Sequence, residues 1–274
     1  MKSVAVRDYQ IPALVEWFEQ FTGIDCSKLE KDHPLHAHHA KYREWALQRF
    51  QRQPSEFDGM SGQVVELASF IKGVQLFQDQ IVGRVKRDFI GDLSDKATCH
   101  GVFFEIKVLV NFYIVGYEHI SYRDNEVQGK NPDIRFVTPE LRRVYVECTG
   151  KRAKRERTTD DKLLMEDLLR SLKDKATEYK DLRVPLIYAV HVPEILNFEK
   201  DDFRSKLGEK LVRAFQDPCF SNVSYVAFSS YRVPVVEHVS VNGSPQFGTD
   251  LHRLSYKNSF AAPDYRLELK LGPP

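Results

Sequence analysis

The sequence has few cysteines, no long apolar run and almost no excess of charge, and each of these features excludes a class of protein. Its four cysteines are far apart and form neither a CxxC pair nor a zinc-binding pattern. The simplest interpretation is a reducing, cytoplasmic setting. The 40 basic residues nearly balance the 39 acidic ones. The chain therefore does not coat nucleic acid by bulk charge, although a local basic patch is still allowed.

Membrane association is not expected. The longest apolar run, from Ile106 to Val115, is interrupted by Lys107 and Asn111 and is shorter than the roughly 20 residues that span a bilayer. The N-terminal sequence MKSVAVRDYQ lacks the apolar core of a signal peptide. Glycine-rich phosphate loops of the GxxxxGK[ST] and GxGxxG types are absent as well, so no motif predicts the use of ATP.

Apolar spacing predicts that the first ninety or so residues are helical, with helices over 11–21, 42–50 and 64–89. The histidines of the segment DHPLHAHHAK, at positions 33, 36, 38 and 39, have spacings that suit a transition metal if the segment is helical. We prefer a surface loop and the start of a helix, because a histidine cluster identified by composition alone is weak evidence for a metal site.

In the middle of the chain, helical segments alternate with short segments that are rich in β-branched and aromatic residues. Helices are predicted over 102–115, 159–180 and 202–215, and strands over 118–122, 134–137, 143–148, 186–190, 223–228 and 233–239. The last thirty residues carry weak signals. The order α-β-β-β-α-β predicts an α/β fold with a mixed central sheet flanked by helices. We expect a helical N-terminal region over residues 1–90 and an α/β domain over residues 91–274.

Three carboxylates are candidates for a metal site. Asp133 precedes one predicted strand, Glu147 ends the next, and Glu105 lies inside an apolar helix. Mg²⁺ prefers oxygen ligands and keeps several waters, so two or three carboxylates can bind it. Each carboxylate also has an ordinary explanation. Asp133 fits a turn after a proline, Glu147 a solvated strand end, and Glu105 a structural salt bridge.

The order of these residues resembles the PD-(D/E)XK nuclease superfamily, which has the restriction-endonuclease-like fold. The resemblance covers roughly residues 98–190: Pro132-Asp133 matches the first half of the motif and Glu147 the acidic residue of the second. It implies hydrolysis of a phosphodiester by water that a bound Mg²⁺ or Mn²⁺ activates. In that interpretation Asp133 and Glu147 bind the metal, and Glu105 binds a second ion or a metal-bound water.

The chain departs from the family at the catalytic lysine, because Thr149 stands two positions after Glu147. Two lysines could replace it. Lys151 follows Gly150 in the continuation of the predicted strand over 143–148. Lys175 lies on the predicted helix over 159–180, beside the row of apolar residues on its buried face. The segment from Lys175 to Tyr179 is similar to the Gln-x-x-x-Tyr motif of RecB-type members, with lysine in place of glutamine. We favour Lys175, although an ordinary surface lysine with a partly covered stem is the alternative.

A basic run follows Glu147 directly. Residues 151–157 read KRAKRER, and we expect Lys151, Arg152, Lys154 and Arg155 to contact the phosphate backbone of a nucleic acid. Such contacts attract the backbone without reading its sequence. A solvated loop is the alternative interpretation of the same run.

The sequence thus predicts a metal-dependent nuclease. DNA is the expected substrate, although neither charge nor motifs distinguish DNA from RNA or an endonuclease from an exonuclease. The alternative is a catalytically silent nuclease-like fold that binds nucleic acid or a partner protein, which Thr149 supports. A third interpretation is an α/β interaction module in which the carboxylates are structural. Whether the chain is a monomer or forms a homodimer is left open.

Overall fold

The described part of the chain contains helices followed by a mixed sheet. The computed structural model describes residues 6, 8–51, 62–123, 129–150, 161–192, 201–231, 239–241, 244–246 and 251–269. The α-helices in these residues are α1 (Ile11–Thr22), α2 (Pro34–Gln51), α3 (Gly62–Leu76), α4 (Gly83–Ser94), α5 (Cys99–Val115), α6 (Asp161–Tyr179) and α7 (Asp201–Ala214). The strands are β1 (Glu118–Tyr122), β2 (Ile134–Val137), β3 (Arg143–Gly150), β4 (Leu186–Val192), β5 (Val223–Tyr231), β6 (Val239–Val241), β7 (Ser244–Gln246) and β8 (Leu251–Lys257).

A six-stranded sheet has the strand order β1-β2-β3-β4-β5-β8. The pairs β1–β2 and β2–β3 are antiparallel, β3, β4 and β5 run parallel, and β8 closes the order antiparallel to β5. Parallel neighbours need a crossover connection, and α6 and α7 provide the two that are required. The predicted class, an α/β fold with a mixed sheet flanked by helices, is confirmed.

The apolar faces of α6 and α7 pack on the parallel part of the sheet. Their buried residues form one cluster with strand residues such as Tyr145, Tyr188 and Phe228. The end of α6 is fixed by Asn222, whose side-chain amide donates to the carbonyls of Tyr179 and Leu182. This capping matters for the site described below, because Tyr179 is the last residue of α6.

The chain divides into two compact units. The first runs to Val110 and includes β6 and β7, and the second begins at Asn111 and contains the six-stranded sheet. In the first unit α3 approaches α5 closely at Gly73, where a Cβ atom would lie 2.7 Å from a methyl group of Ile106. The predicted division into residues 1–90 and 91–274 stays a prediction.

The prediction of one continuous helix over residues 64–89 is wrong. The structure ends α3 at Leu76 and begins α4 at Gly83. Between them the amides of Gln80 and Ile81 donate to the carbonyl of Phe77 in a turn, and Gly83 has a φ of +55°. Glycine adopts this left-handed conformation without a steric cost, which is why the chain turns at this point.

The histidine segment begins a helix, as expected, but the interpretation of it as a surface loop is wrong. Pro34 is the first residue of α2, and His33, His38 and His39 are buried. His38 donates from Nδ1 to the carbonyl of Pro34 and from Nε2 to the carboxylate of Glu66 on α3, at 2.7 and 3.1 Å. Because both ring nitrogens face acceptors, this environment favours the charged imidazolium, which joins the two helices.

We expect the stability of the first unit to depend on pH through His38. Despite burial, the bond to Glu66 raises the pKa of His38 above 6.5. Its contribution to stability is therefore complete below about pH 6.5 and is lost as the pH rises through the folded-state pKa. The His38→Gln variant should lose ~1–3 kcal/mol of unfolding free energy at pH 6 and less above that window. Urea denaturation at several pH values measures this, and an equal loss at pH 6 and pH 9 would contradict it.

The C-terminal strand β8 is not predicted from the sequence. The strand β8 completes the sheet, although the last thirty residues carry weak signals. The predicted strand over 233–239 lies outside the described residues except for Val239, where β6 begins.

In the part of the chain that the structure describes, no helix combines the length and the apolar character needed to cross a bilayer.

Candidate active site

Glu147 is the centre of the candidate site. Side chains alternate along a strand, so Glu147 points to the same face of β3 as Tyr145, which belongs to the core beneath α6. The apolar interface between strand and helix ends here with a carboxylate whose side chain is only 7 % exposed. A buried carboxylate is costly unless donors compensate it.

Two side chains of α6 provide these donors. Lys175 Nζ lies 2.7 Å from Glu147 Oε1, and the Tyr179 hydroxyl donates to Oε2 at 2.8 Å. Both residues reach the carboxylate because they are spaced by four positions and so project from the same side of the helix. Lys175, the lysine that the sequence favours, thus contacts Glu147 directly, and its side chain is one-third exposed at 32 %.

The charges of this group are coupled. Burial raises the pKa of Glu147, and the ammonium of Lys175 opposes that rise. Burial also acts to lower the pKa of Lys175, but the Glu147 carboxylate outweighs it and the pKa of Lys175 is raised. Burial and Glu147 together raise the pKa of the Tyr179 hydroxyl far above its ordinary value. Tyr179 therefore stays protonated and remains a donor to Glu147.

Asp133 lies next to this group, directly before the neighbouring strand β2. The antiparallel register pairs Ile134 with Val146, which places Asp133 opposite Glu147. Asp133 Oδ2 accepts a hydrogen bond of 2.7 Å from the backbone amide of Cys148, so its carboxylate is fixed against β3. The negative charge of Asp133 also contributes to the raised pKa of Tyr179. The two carboxylates that the sequence singles out thus lie opposite each other, Asp133 directly before β2 and Glu147 on β3.

A tyrosine on β4, the parallel neighbour of β3, lies beside Glu147. Tyr188 on β4 is the register partner of Glu147 and is fully buried. Its hydroxyl has no hydrogen-bond partner in the described part of the chain. Burial and the nearby Glu147 raise the pKa of this hydroxyl well above its ordinary value. A buried hydroxyl without a partner is rare in folded proteins.

Three further groups at the site are not identified as functional by the sequence. Tyr179 belongs to the helix motif, but the motif alone predicts no role for its hydroxyl. Glu178 Oε2 lies 3.2 Å from Lys175 Nζ, and Lys130 Nζ lies 5.9 Å from the centre of the Tyr179 ring. The helical spacing of Glu178 from Lys175 is a usable signal. Lys130 has none, because only the β1–β2 connection brings it to α6.

The sequence also singles out Glu105, Thr149 and the basic run after β3. Glu105 is buried in α5 and belongs to the first compact unit, so its role as a ligand stays a prediction. Thr149 is half-buried on β3. The basic residues lie outside the described residues: Lys151, Arg152, Lys154 and Arg155. Within the described ranges, no group of three or more histidine, cysteine, aspartate or glutamate side chains is arranged to hold a metal ion.

Chemically, the carboxylates of Asp133 and Glu147 lie beside the ammonium of Lys175 and the hydroxyls of Tyr179 and Tyr188 at the edge of an apolar core, with Glu178 at the surface. Such a set can bind a hard cation and place a positive charge beside it. No known family model matches this chain, and no curated protein matches it.

Proposed function

We propose that the chain is a metal-dependent nuclease that hydrolyses phosphodiester bonds, with DNA as the expected substrate. The observation that carries the proposal is the contact of Lys175 with Glu147 at 2.7 Å, on a carboxylate that faces Asp133 across two paired strands. The resemblance to the PD-(D/E)XK superfamily implies this set of one lysine and two acids. Here the lysine comes from α6, since Thr149 occupies the usual position.

The donor set fits Mg²⁺ or Mn²⁺. Asp133 and Glu147 offer oxygen ligands only, and each carboxylate oxygen can accept more than one partner. Mg²⁺ needs no more than one or two protein carboxylates, since waters and substrate phosphate complete its octahedron. Asp133 and Glu147 would hold the ion. When bound, it would supply a nucleophilic hydroxide near neutral pH and polarise the phosphate.

The residues of the chain have separate tasks in this proposal. Lys175 supplies a positive charge near the point where negative charge grows on the phosphate, and it helps to orient the attacking water. Tyr179 donates to Glu147 and so fixes the orientation of that carboxylate. The amide of Cys148 does the same for Asp133. Both carboxylates are therefore oriented before any substrate binds, which is the condition for efficient electrostatic catalysis.

The direct test is single-turnover cleavage by the purified chain with Mg²⁺ or Mn²⁺. Labelled duplex DNA, single-stranded DNA and RNA of the same sequence should be offered in parallel, with chelator as the control. We expect cleavage that needs the metal. No cleavage of any of these substrates would contradict the proposal.

A second candidate is a silent fold of the same kind that binds nucleic acid or a partner protein. The observation in its favour is that Lys175 already neutralises Glu147, while Thr149 leaves β3 without a lysine at the usual position. In that case the ion pair is structural: its loss would leave a buried carboxylate without a counter-charge, but the pair takes part in no reaction. The cleavage assay separates the two candidates, because only the nuclease turns substrate over.

The basic run after β3 should contribute to binding in either case. We expect replacement of Lys151, Arg152, Lys154 and Arg155 by alanine to weaken binding equally for all sequences. The slope of log affinity against log salt should fall by about 0.7–0.9 for each phosphate that the variant no longer neutralises. Fluorescence anisotropy between low and moderate salt, with chelator present to prevent cleavage, measures this slope. The control removes Lys206 and Lys210 of α7, and an equal effect of both variants would contradict a specific role of the run.

A further inference from the structure

Lys175 contacts two carboxylates at once, and the two differ in burial. Its Nζ lies 2.7 Å from Glu147 Oε1 and 3.2 Å from Glu178 Oε2. The side chain of Glu147 is 7 % exposed, whereas that of Glu178 is 41 % exposed. The ammonium therefore bridges a buried carboxylate, which is a proposed metal ligand, and a carboxylate at the surface.

Without metal, Lys175 is the cation that compensates Glu147. An ammonium and a divalent ion repel each other strongly in a partly buried site. The same carboxylate oxygen therefore does not bind both of them tightly. Occupation of Glu147 by metal therefore requires the ammonium of Lys175 to move away from that oxygen. Glu178 is already within ion-pair distance, one turn along the same helix.

A second observation concerns a buried hydroxyl on the strand next to Glu147. The hydroxyl of Tyr188, fully buried on the neighbouring strand, has no hydrogen-bond partner in the described residues. The Tyr179 hydroxyl donates to Oε2, not to Oε1, so the contact with Tyr179 does not depend on where the ammonium goes. Only the Lys175 side of the carboxylate has to rearrange.

We propose that Glu178 is the positioning residue for Lys175, receiving its ammonium when a divalent cation binds Glu147. This inference rests on the proposed function. Glu178 keeps Lys175 at the edge of the site, where its charge still reaches a substrate phosphate, and it lowers the energetic cost of metal binding. Without Glu178 the ammonium has only Glu147 as a carboxylate partner in the described structure, and the metal must compete with it directly.

The test is the affinity of the full chain for Mn²⁺ alone, measured by titration calorimetry without substrate. We expect Glu178→Gln to weaken Mn²⁺ binding by about two- to fivefold, since exposed ion pairs of this kind are worth that much. Lys175→Gln should tighten Mn²⁺ binding, because it removes the competing cation. In the Lys175→Gln background, Glu178→Gln should have no further effect, because its role acts through the lysine.

The matched control is Asp174→Asn. Asp174 is an exposed carboxylate of the same helix that forms no ion pair among the described residues. A loss equal to that of Glu178→Gln would mean that net charge alone is responsible and would overturn the inference. An undiminished effect of Glu178→Gln in the Lys175→Gln background would overturn it as well. If the wild-type chain binds no Mn²⁺, the metal site of the proposed function is rejected. If the wild-type chain binds Mn²⁺ but Glu178→Gln does not change its affinity, only the role of Glu178 is rejected.

Discussion

The Asp133→Asn and Glu147→Gln variants should each lose metal binding and cleave more than ~10³ times more slowly than the wild type. The loss should exceed the ~10²–10³ that one missing electrostatic donor costs, because the source of the attacking hydroxide is removed as well. Amide side chains keep the shape of the site. The amide oxygen introduced at position 133 can still accept from the Cys148 backbone, and the one at position 147 can still accept from the Tyr179 hydroxyl. Calorimetry with Mn²⁺ and single-turnover cleavage measure the two effects.

The control for these variants is Glu118→Gln, an exposed carboxylate on β1 of the same sheet. It should bind Mn²⁺ and cleave like the wild type. Thermal unfolding of all three variants in chelator shows whether the fold is retained. Wild-type cleavage by both site variants would rule out Asp133 and Glu147 as ligands. Loss of cleavage with unchanged Mn²⁺ binding would place the metal elsewhere.

Much of the second unit could be predicted because its signals are local. The β-branched and aromatic residues of β2 and β3 and the apolar stripe of α6 predict the elements that carry or adjoin Asp133, Glu147 and Lys175. The β-β-β-α-β order then makes β3 and β4 parallel neighbours with α6 as the crossover. The sequence pattern predicts a mixed sheet flanked by helices and not the order of its strands, but the crossover through α6 explains why Lys175 can reach Glu147.

The features that could not be predicted depend on long-range contacts. Tyr188 faces Glu147 through the register of two parallel strands, which no local pattern specifies. His38 is buried because Glu66, far along the chain, accepts its hydrogen bond, whereas histidine in a polar segment is usually a surface residue. The break between α3 and α4 depends on the left-handed conformation of Gly83, and glycine is tolerated inside helices often enough to be overlooked.

Glu147 has a consequence for stability that the sequence alone does not indicate. Mutual repulsion between two carboxylates favours a gain in stability when one is removed. In the structure, however, Glu147 accepts from both Lys175 and Tyr179. Its removal would leave the Tyr179 hydroxyl buried without its acceptor, which costs ~1–3 kcal/mol. This is why the conservative Glu147→Gln variant is a better probe of function than alanine.

The Lys175→Ala variant should lower the single-turnover cleavage rate by about 10²–10³, the range expected when one preorganised charge-stabilising group is lost. Lys175 is well placed for this role because α6 is packed on the sheet and the ammonium lies 2.7 Å from Glu147. The variant should also lose ~1–3 kcal/mol of unfolding free energy, because Glu147 loses a charged hydrogen-bond partner. Saturating enzyme and metal remove binding defects from the measured rate.

Lys173→Ala is the matched control for this prediction. Lys173 lies on the same helix two positions earlier, is 61 % exposed and pairs with Asp217 instead of with the site. Its removal should leave the cleavage rate unchanged. Lys175→Arg should recover part of the rate, since it keeps the charge although not the compact ammonium. If Lys175→Ala cleaves at the wild-type rate and Lys151→Ala does not, the catalytic lysine is Lys151. A full rate in both variants would mean that the charge at Glu147 is structural and that catalysis does not depend on a lysine from either position.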